Sequence, residues 1–303
     1  MRIKLDCPVD FVSIGELNQL FRKHDYTLGN LDADCVIVNP GTNKYLGPEY
    51  FNQFPFLKVV GTPSTGINHI DVEYLAQNGV SVKCLLDDRE SLDDIHASAE
   101  FTWLHIMNAV RKFGLAVNNK KNWREKNNEA FLRSNEMHGK KLGIVGMGRI
   151  GKKLANYAKT FGMQVFWYDP YVNDDETNNK VNNLNDLKDC DILSINCYLT
   201  DETKELITYG TLDDFKTGLI VVNTSRGEVI NEDYIYDLIV NEEIKYSADV
   251  LCNEQNTHLL HKSKLFNLEH DGITITPHVA GATVESQFKA LKAILELCKR
   301  CIK

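Results

Sequence analysis

The sequence predicts an α/β fold with two groups of parallel strands, the second of which forms a doubly wound sheet. Short apolar runs alternate with helical segments along almost all of the 303 residues. After residue 140 these runs are continuously apolar, which is typical of parallel strands that are covered on both faces. A long amphipathic segment separates the two groups, and the chain is long enough for two hydrophobic cores. We therefore expect two domains.

The first group of elements lies before residue 92. Its predicted strands are residues 3–5, 35–38, 57–60 and 80–84, and its predicted helices are residues 11–23, 48–53 and 72–77. Asn78 and Gly79 favour a helix end after the last of these helices. Together these elements predict a small βα domain without a glycine fingerprint of its own.

A segment over residues 91–118 connects the two groups. Its apolar residues recur mostly three or four positions apart, at Ile95, Ala99, Trp103, Ile106, Val110 and Phe113. This spacing predicts one long helix with a wide apolar face. Residues 118–141 are rich in Asn, Lys and Glu, which predicts an excursion over the surface.

The second group of elements begins at residue 142. Its predicted strands are residues 142–145, 164–168, 191–195, 219–223, 246–250 and 273–276. These runs predict a doubly wound domain of about six strands. The composition of residues 173–185, which is rich in Asn and Asp, predicts a loop, and residues 283–300 predict a final helix that could pack back onto the first domain.

Residues 142–169 combine a strand, a turn with three glycines, an amphipathic helix, a second strand and an acid. Gly146 permits the tight turn, Gly148 lets the backbone approach a pyrophosphate, and Gly151 lets helix and strand pack closely. The helix N-terminus offers N–H groups to phosphates, and Asp169 could accept hydrogen bonds from ribose hydroxyls. Glycines also mark ordinary turns, but these elements in this order favour dinucleotide binding.

An arginine, an acid and a histidine follow three of the later strands. Arg226 comes after residues 219–223, Glu254 after residues 246–250, and His278 after residues 273–276. Because ligands of doubly wound sheets bind at the carboxyl ends of the strands, these side chains are expected at one edge of the sheet. Each alone could be a solvated surface group, and only their convergence favours a functional site.

The composition and net charge of the chain indicate which kinds of binding partner its surface does not favour. The formal charge is −8 and basic residues occur in pairs rather than long blocks, which argues against a nucleic-acid or anionic-membrane surface. The N-terminal residues have neither a signal-peptide pattern nor a membrane span, so a cytoplasmic location is expected. Eight scattered cysteines suggest reduced thiols. Cys298 and Cys301 lack a second pair, so no metal site is predicted.

Seven segments are similar to motifs of one enzyme family in residue type, order and spacing. They are GTPSTGINHID (61–71), HASAE (96–100), GKKLGIVGMGRIGKKLA (139–155), YDPY (168–171), VNTSRGEVIN (222–231), ADVLCNE (248–254) and TPHVAG (276–281). The chain thus resembles the D-isomer-specific 2-hydroxyacid dehydrogenases, a family that includes phosphoglycerate, glycerate, D-lactate and formate dehydrogenases and related corepressors. The resemblance implies a Rossmann NAD-binding domain at residues 92–282, inserted in a smaller, flavodoxin-like βα substrate-binding domain at residues 1–91 and 283–303. It also implies a homodimer.

The resemblance further implies roles for individual residues. His278 would be the acid/base, Glu254 its carboxylate partner, and Arg226 the group that binds the carboxylate and carbonyl of the substrate. Thr65 and Gly66 match the loop whose N–H groups hold the substrate carboxylate. The residues matched to cofactor contacts, besides the three glycines and Asp169, are Arg149 and Ile150 at the pyrophosphate, Cys197 and Thr224 near the nicotinamide, Asp249 at the carboxamide, and Gly281.

These roles imply an oxidoreductase that transfers a hydride between NAD(H) and a small 2-keto acid or D-2-hydroxy acid. Asp169 with no arginine after it favours NAD over NADP, because a 2′-phosphate would face a carboxylate. Asn39, in the loop 39–42, stands where phosphoglycerate-specific members carry an arginine, and Gln255 stands where the family usually has proline. A phosphoglycerate-type dehydrogenase and an NAD(H)-sensing binding protein like the corepressors are the alternatives.

Overall fold

The computed structural model describes residues 1–39, 45–173 and 179–302. Pro40, Gly41 and Thr42 of the compared loop, and residues 174–178 of the predicted Asn-rich loop, lie outside the described residues. The chain divides into two compact units. Unit 1 comprises Met1–Ala97 and Gly281–Lys303, and unit 2 comprises Ser98–Ala280.

The described strands and helices are numbered along the chain. The strands are β1 (Arg2–Asp6), β2 (Thr27–Leu28), β3 (Cys35–Val38), β4 (Val59–Gly61), β5 (Ser81–Lys83), β6 (Lys141–Val145), β7 (Gln164–Tyr168), β8 (Ile192–Ile195), β9 (Leu219–Asn223), β10 (Ile244–Ala248) and β11 (Ile273–Ile275). The helices are α1 (Ile14–His24), α2 (Pro48–Phe51), α3 (Val72–Gln77), α4 (Arg89–Asp93), α5 (Ala97–Arg111), α6 (Phe113–Asn118), α7 (Lys126–Leu132), α8 (Arg149–Thr160), α9 (Glu232–Val240), α10 (Thr257–Leu260) and α11 (Val284–Ile302).

Unit 1 is built on a parallel sheet with the strand order β2-β1-β3-β4-β5, the order found in flavodoxin-like folds. Helix α11 packs on this sheet, and its Ile294 and Cys298 share a buried cluster with Ile37 and Val59. A Cβ atom on Gly61 would lie 2.7 Å from Cys298 Sγ and 2.9 Å from Ile294 Cγ1. The absence of a side chain at this position therefore lets the last helix approach the sheet closely.

Unit 2 is built on a parallel sheet with the strand order β11-β10-β9-β8-β6-β7. The order reverses between β6 and β8, which creates the switch point where ligands of such sheets bind. Both faces are covered: Ile144 and Ile192 belong to one buried cluster, and Val145 and Leu193 to another. Burial on both faces explains why these strands are continuously apolar, and the predicted α/β class with parallel sheets is confirmed.

The prediction of one long helix over residues 91–118 was wrong. The segment forms α4, α5 and α6, separated at residues 94–96 and at Lys112, which has a left-handed backbone with a φ of 52°. Asn108 Oδ1 accepts a hydrogen bond from Gly114 N at 2.7 Å, which stabilises the second break. The apolar spacing continued across the first break because Leu92 and Ala99, on either side of it, are buried, whereas Phe113, directly after the second break, is 63% exposed. The predicted surface excursion contains the short helix α7.

None of the helices in the described part of the chain is both long and apolar enough to cross a bilayer.

Candidate active site

The glycine turn between β6 and α8 depends on close backbone contacts. Gly146 has a φ of 94°, and a Cβ atom there would lie 2.8 Å from Cys197 N. A Cβ atom on Gly151 would lie 2.3 Å from Gly146 O, so only glycine lets α8 start this close to the strand. Gly148 is the N-cap of α8 and makes no side-chain cap, and a Cβ there would meet no atom within 4 Å. Within the described residues, the N-terminus of α8, which starts with Arg149 and Ile150, has no side-chain cap from Gly148 and lies at the switch point.

Asp169, at the end of β7, ties this turn to the neighbouring strand. Its Oδ2 accepts a hydrogen bond from Met147 N at 2.9 Å. Its Oδ1 accepts from Tyr171 N at 2.9 Å and Val172 N at 3.2 Å. A carboxylate has roughly four lone-pair positions, so the side chain keeps acceptor capacity for a ribose hydroxyl.

His278 and Glu254 form a direct pair. His278 Nδ1 lies 2.5 Å from Glu254 Oε1, and Glu254 Oε2 accepts from Leu251 N at 3.3 Å. The side chains are 47% and 25% exposed, respectively. Because Nδ1 is bound to the carboxylate, Nε2 is the ring nitrogen that can exchange a proton with a ligand. The structure thus places an imidazole in direct contact with a carboxylate.

The loop that carries His278 is held by a buried carboxylate. Asp249 is 1% exposed, and its Oδ1 accepts from Thr276 Oγ1 at 2.5 Å and from Val279 N at 3.0 Å. Its Oδ2 accepts from Ala280 N at 2.7 Å. These bonds fix the chain on both sides of His278, whose backbone is left-handed with a φ of 53°.

Arg226 lies in the loop after β9, which is organised by the fully buried Asn223. Asn223 Oδ1 accepts from Ser225 N at 3.1 Å and from Ser225 Oγ at 2.9 Å, and its Nδ2 donates to Arg226 O at 3.0 Å. The partly buried guanidinium of Arg226 donates from Nη1 to Ser225 O at 2.7 Å. The structure therefore pairs Glu254 with His278 directly and holds Arg226 in a separate loop.

Gly227 brings the Arg226 loop against the Glu254 loop. A Cβ atom on Gly227 would lie 2.1 Å from Leu251 C and 2.2 Å from Cys252 N, so the two backbones are in contact. The residues Arg226, Glu254 and His278 follow the adjacent strands β9, β10 and β11 at the same edge of the sheet.

Two further predicted residues line the ends of β8 and β9. Cys197 follows β8, and burial raises the pKa of its thiol to about 11. Thr224 follows β9, and its Oγ1 lies 2.6 Å from Thr102 Oγ1. Because Thr102 donates its proton to Ser98 O at 2.6 Å, Thr224 is the donor in this pair.

The predicted substrate loop lies in unit 1, directly after β4. Ser64 Oγ donates to Gly66 O at 2.7 Å and lies 3.1 Å from Thr62 Oγ1, and Ser64 O accepts from Leu85 N at 2.8 Å. None of these bonds uses the N–H groups of Thr65 or Gly66. Gly281 is also in unit 1, three residues before α11, and its carbonyl accepts from Ser286 Oγ at 2.8 Å.

Three polar residues of α5, which contact strands of unit 2 or the residues directly after them, were not predicted from the sequence. Besides the Thr102–Thr224 pair, His105 contacts Ser247 and Thr276, and Asn108 Nδ2 donates to Thr274 Oγ1 at 3.3 Å. The residues 102, 105 and 108 are three positions apart and therefore share a helix face. A polar stripe on an otherwise apolar helix was the signal that could have identified them. Within the described residues, no cluster of three or more His, Cys, Asp or Glu side chains is arranged to bind a metal ion.

Comparison with known proteins first identifies the class of protein to which unit 2 belongs. Residues 103–280 match the family model described as D-isomer specific 2-hydroxyacid dehydrogenase, NAD binding domain. The D-lactate dehydrogenase TP0037 from Treponema pallidum has a similar fold, with a TM-score of 0.82 and 21% identity over 100% of this chain and 97% of that chain. Unit 2 is therefore a Rossmann domain of the dehydrogenase type.

Curated relatives specify the family. The hydroxypyruvate reductase of Thermotoga maritima is 30% identical over 84% of this chain and 80% of its own length. The D-3-phosphoglycerate dehydrogenase of Bacillus subtilis is 30% identical over 87% of this chain and 48% of its own length. The chain belongs to the D-isomer-specific 2-hydroxyacid dehydrogenase family, which confirms the resemblance seen in its motifs. It spans about half the length of the phosphoglycerate dehydrogenases that it matches.

Proposed function

We propose that this protein is an NAD-dependent oxidoreductase that interconverts a small 2-keto acid and its D-2-hydroxy acid. The observation that carries the proposal is the His278–Glu254 pair, at 2.5 Å, in a family of 2-hydroxyacid dehydrogenases. A paired imidazole at the carboxyl edge of the sheet suits proton transfer to or from a substrate oxygen.

The residues of unit 2 fit NAD. The N-terminus of α8, which begins after Gly148, would hold the pyrophosphate, and Asp169 would hold the adenosine ribose. The acceptor capacity left on Asp249 suits the carboxamide, and Cys197 and Thr224 would line the nicotinamide side. When bound, NAD supplies or accepts the hydride of the reaction.

The remaining chemistry belongs to side chains. In the reducing direction, negative charge develops on the carbonyl oxygen, which His278 Nε2 neutralises with a proton and the Arg226 guanidinium stabilises. Glu254 accepts a hydrogen bond from Nδ1 and so orients the ring with Nε2 toward the ligand side. Positioned proton transfer of this kind contributes roughly two to four orders of magnitude in rate.

We propose that Arg226 of unit 2 binds the carboxylate of the substrate, and that Thr65 and Gly66 are substrate-binding residues of unit 1. A guanidinium can bind a carboxylate through two parallel hydrogen bonds, which fixes its orientation. Asn39 offers no charge to a phosphate, so an unphosphorylated acid such as glyoxylate, hydroxypyruvate or pyruvate is the preferred substrate class.

We further propose a homodimer that forms through unit 2 in the cytoplasm. Large apolar side chains of α5, of α6, of the segment between α6 and α7 and of the residue directly after α8 are exposed, namely Leu104 (52%), Phe113 (63%), Val117 (48%), Trp123 (80%) and Phe161 (41%). Such exposure is typical of an interaction surface. The eight cysteines are free thiols, which suits a reducing compartment. Sedimentation of the purified protein and of a Leu104→Glu variant tests the dimer, and a monomeric wild-type protein would refute it.

The activity is tested by following NADH oxidation with a panel of acids: glyoxylate, hydroxypyruvate, pyruvate, oxaloacetate, branched and aromatic 2-keto acids, and 3-phosphohydroxypyruvate. We expect turnover of an unphosphorylated member, and loss of turnover with retained NADH affinity in His278→Ala. Preference for the phosphorylated acid would assign the phosphoglycerate-type reaction instead. NADH binding without turnover of any acid would refute the enzyme proposal and favour an NAD(H)-sensing binding protein.

A further inference from the structure

We infer that His105 is a positioning residue for His278. It acts through a chain of hydrogen bonds that ends on the Asp249 carboxylate. The inference rests on the proposed function only in treating His278 as the acid/base, because the chain itself is a feature of unit 2.

The chain of hydrogen bonds links helix α5 to strands β10 and β11. His105 Nδ1 lies 2.8 Å from Ser247 Oγ, and His105 Nε2 lies 3.0 Å from Thr276 Oγ1. Thr276 Oγ1 in turn lies 2.5 Å from Asp249 Oδ1. His105 is 3% exposed, Ser247 0% and Asp249 1%, whereas Thr276 is half-buried, so the bond between His105 and Ser247 is buried and the two bonds of Thr276 are partly buried.

The direction of each bond follows from proton counting. Asp249 as a carboxylate can only accept, so the single hydroxyl proton of Thr276 points to it. The Thr276 oxygen must then accept from His105, which requires a proton on Nε2. Burial lowers the pKa of His105, against the opposing charge of Asp249, so the neutral ring is favoured. In the neutral ring, Nδ1 accepts the proton of Ser247.

The donors of this chain therefore all point toward Asp249. Hydrogen bonds aligned in this way strengthen one another in a buried environment. The same carboxylate accepts from Val279 N and Ala280 N, the residues directly after His278. By fixing the carboxylate, His105 fixes the backbone that places His278 beside Glu254.

Removal of His105 would change this arrangement through Thr276. Its hydroxyl lies 3.4 Å from Ala248 O, a second acceptor to which it could rotate. Without the His105 donor, the Thr276 oxygen would also be left with an unsatisfied buried lone pair. We therefore expect a misplaced or mobile His278 loop rather than a change in the bulk of the core.

The test compares His105→Leu with His105→Gln, whose amide can still donate to Thr276. Amide hydrogen exchange at Val279 and Ala280 is measured on the protein without substrate, and kcat, KM and NADH affinity are measured where turnover exists. We expect His105→Leu to speed exchange at both amides by about tenfold and to lower kcat by about ten- to a hundredfold with little change in NADH affinity. His105→Gln should restore most of both quantities.

Ser247→Ala is a milder variant that removes the far end of the chain and should shift both readouts in the same direction. Asn108→Ala is the matched control, because Asn108 lies on the same helix face and contacts β11 through Thr274 but does not reach Asp249. Unchanged exchange at residues 279 and 280 in His105→Leu would overturn the inference. An equal effect of Asn108→Ala would also overturn it, by showing general helix docking. Because amide exchange is measured without substrate, a failure of this inference can be distinguished from a failure of the dehydrogenase proposal.

Discussion

His278 binds Glu254 through Nδ1 at 2.5 Å while its own backbone holds a left-handed φ of 53°. That conformation costs a non-glycine residue roughly 1–2 kcal/mol. It is maintained because Asp249 accepts hydrogen bonds from the two following N–H groups. Strain of this kind is typical of functional sites, where the surrounding structure specifies a position that the residue alone would not adopt.

We predict that Glu254→Gln lowers kcat by about ten- to a hundredfold while NADH affinity stays near that of the wild type. The amide keeps the shape of the side chain but removes the charge that stabilises the imidazolium of His278. Steady-state kinetics and an NADH fluorescence titration provide the measurement. Glu228→Gln is the control, because this nearby carboxylate contacts Asn253 N at 3.4 Å. Equal kcat values for wild type and Glu254→Gln would argue against the pair.

Gly227→Ala should destabilise unit 2 and reduce turnover. Its Cβ would overlap the backbone at Leu251 and Cys252, at 2.1 and 2.2 Å, and backbone cannot move aside as a flexible side chain can. Overpacking of this kind costs about 1–3 kcal/mol. Urea unfolding can be followed by tryptophan fluorescence, since Trp103, Trp123 and Trp167 all lie in unit 2. Gly114→Ala is the matched control, because its Cβ would meet only the Asn108 side chain, at 3.4 Å.

Cys197 should react slowly with thiol reagents at pH 8. Burial raises the pKa of its thiol to about 11, so about one molecule in a thousand carries the thiolate at that pH. Its labelling rate should rise with pH toward 11, whereas the exposed Cys301 should be labelled early. Alkylation followed by peptide mass spectrometry measures both rates, and Cys301→Ser identifies the fast site. Rapid labelling of Cys197 in the folded protein would contradict the burial argument.

Asp169→Asn should weaken the preference for NADH over NADPH by about tenfold, because a 2′-phosphate would no longer face a carboxylate. The asparagine oxygen can still accept from Met147 N, which keeps the bond to the glycine turn, whereas the amide nitrogen removes the acceptor of Tyr171 N and Val172 N. Fluorescence titrations with both cofactors give the ratio of the two dissociation constants. An unchanged ratio would remove Asp169 from the ribose site, and Asp201→Asn, an exposed acid of the same unit, serves as the control.

Most strands of the fold could be predicted from apolar runs in the sequence. Residues 35–38, 164–168 and 219–223 were predicted as strands and have those bounds in the structure. Strand β2 is only two residues long and exposed, so it carries no apolar pattern to detect. The helix breaks were missed because a backbone feature such as the left-handed φ of Lys112 leaves no mark in the spacing of apolar residues.

The candidate site was predictable only in part. The strand-end argument placed Glu254 and His278 at one edge of the sheet, where their side chains are now seen in contact, and their catalytic roles stay a prediction. The sequence CNEQ could not show that Asn253 adopts a left-handed φ of 58°, which turns the chain just before Glu254. His105 was missed because its partners, Ser247 and Thr276, are more than 140 residues away in sequence.

The packing of α11 against Gly61 has a consequence for the order of folding. Unit 2 is continuous in sequence, whereas the core of unit 1 needs Ile294 and Cys298 to cover Ile37 and Val59. During translation, all of unit 2 is synthesised before Ile294 and Cys298. The newly made sheet of unit 1 therefore stays partly uncovered through most of translation, and unit 2 is the part of the chain that can complete its core first.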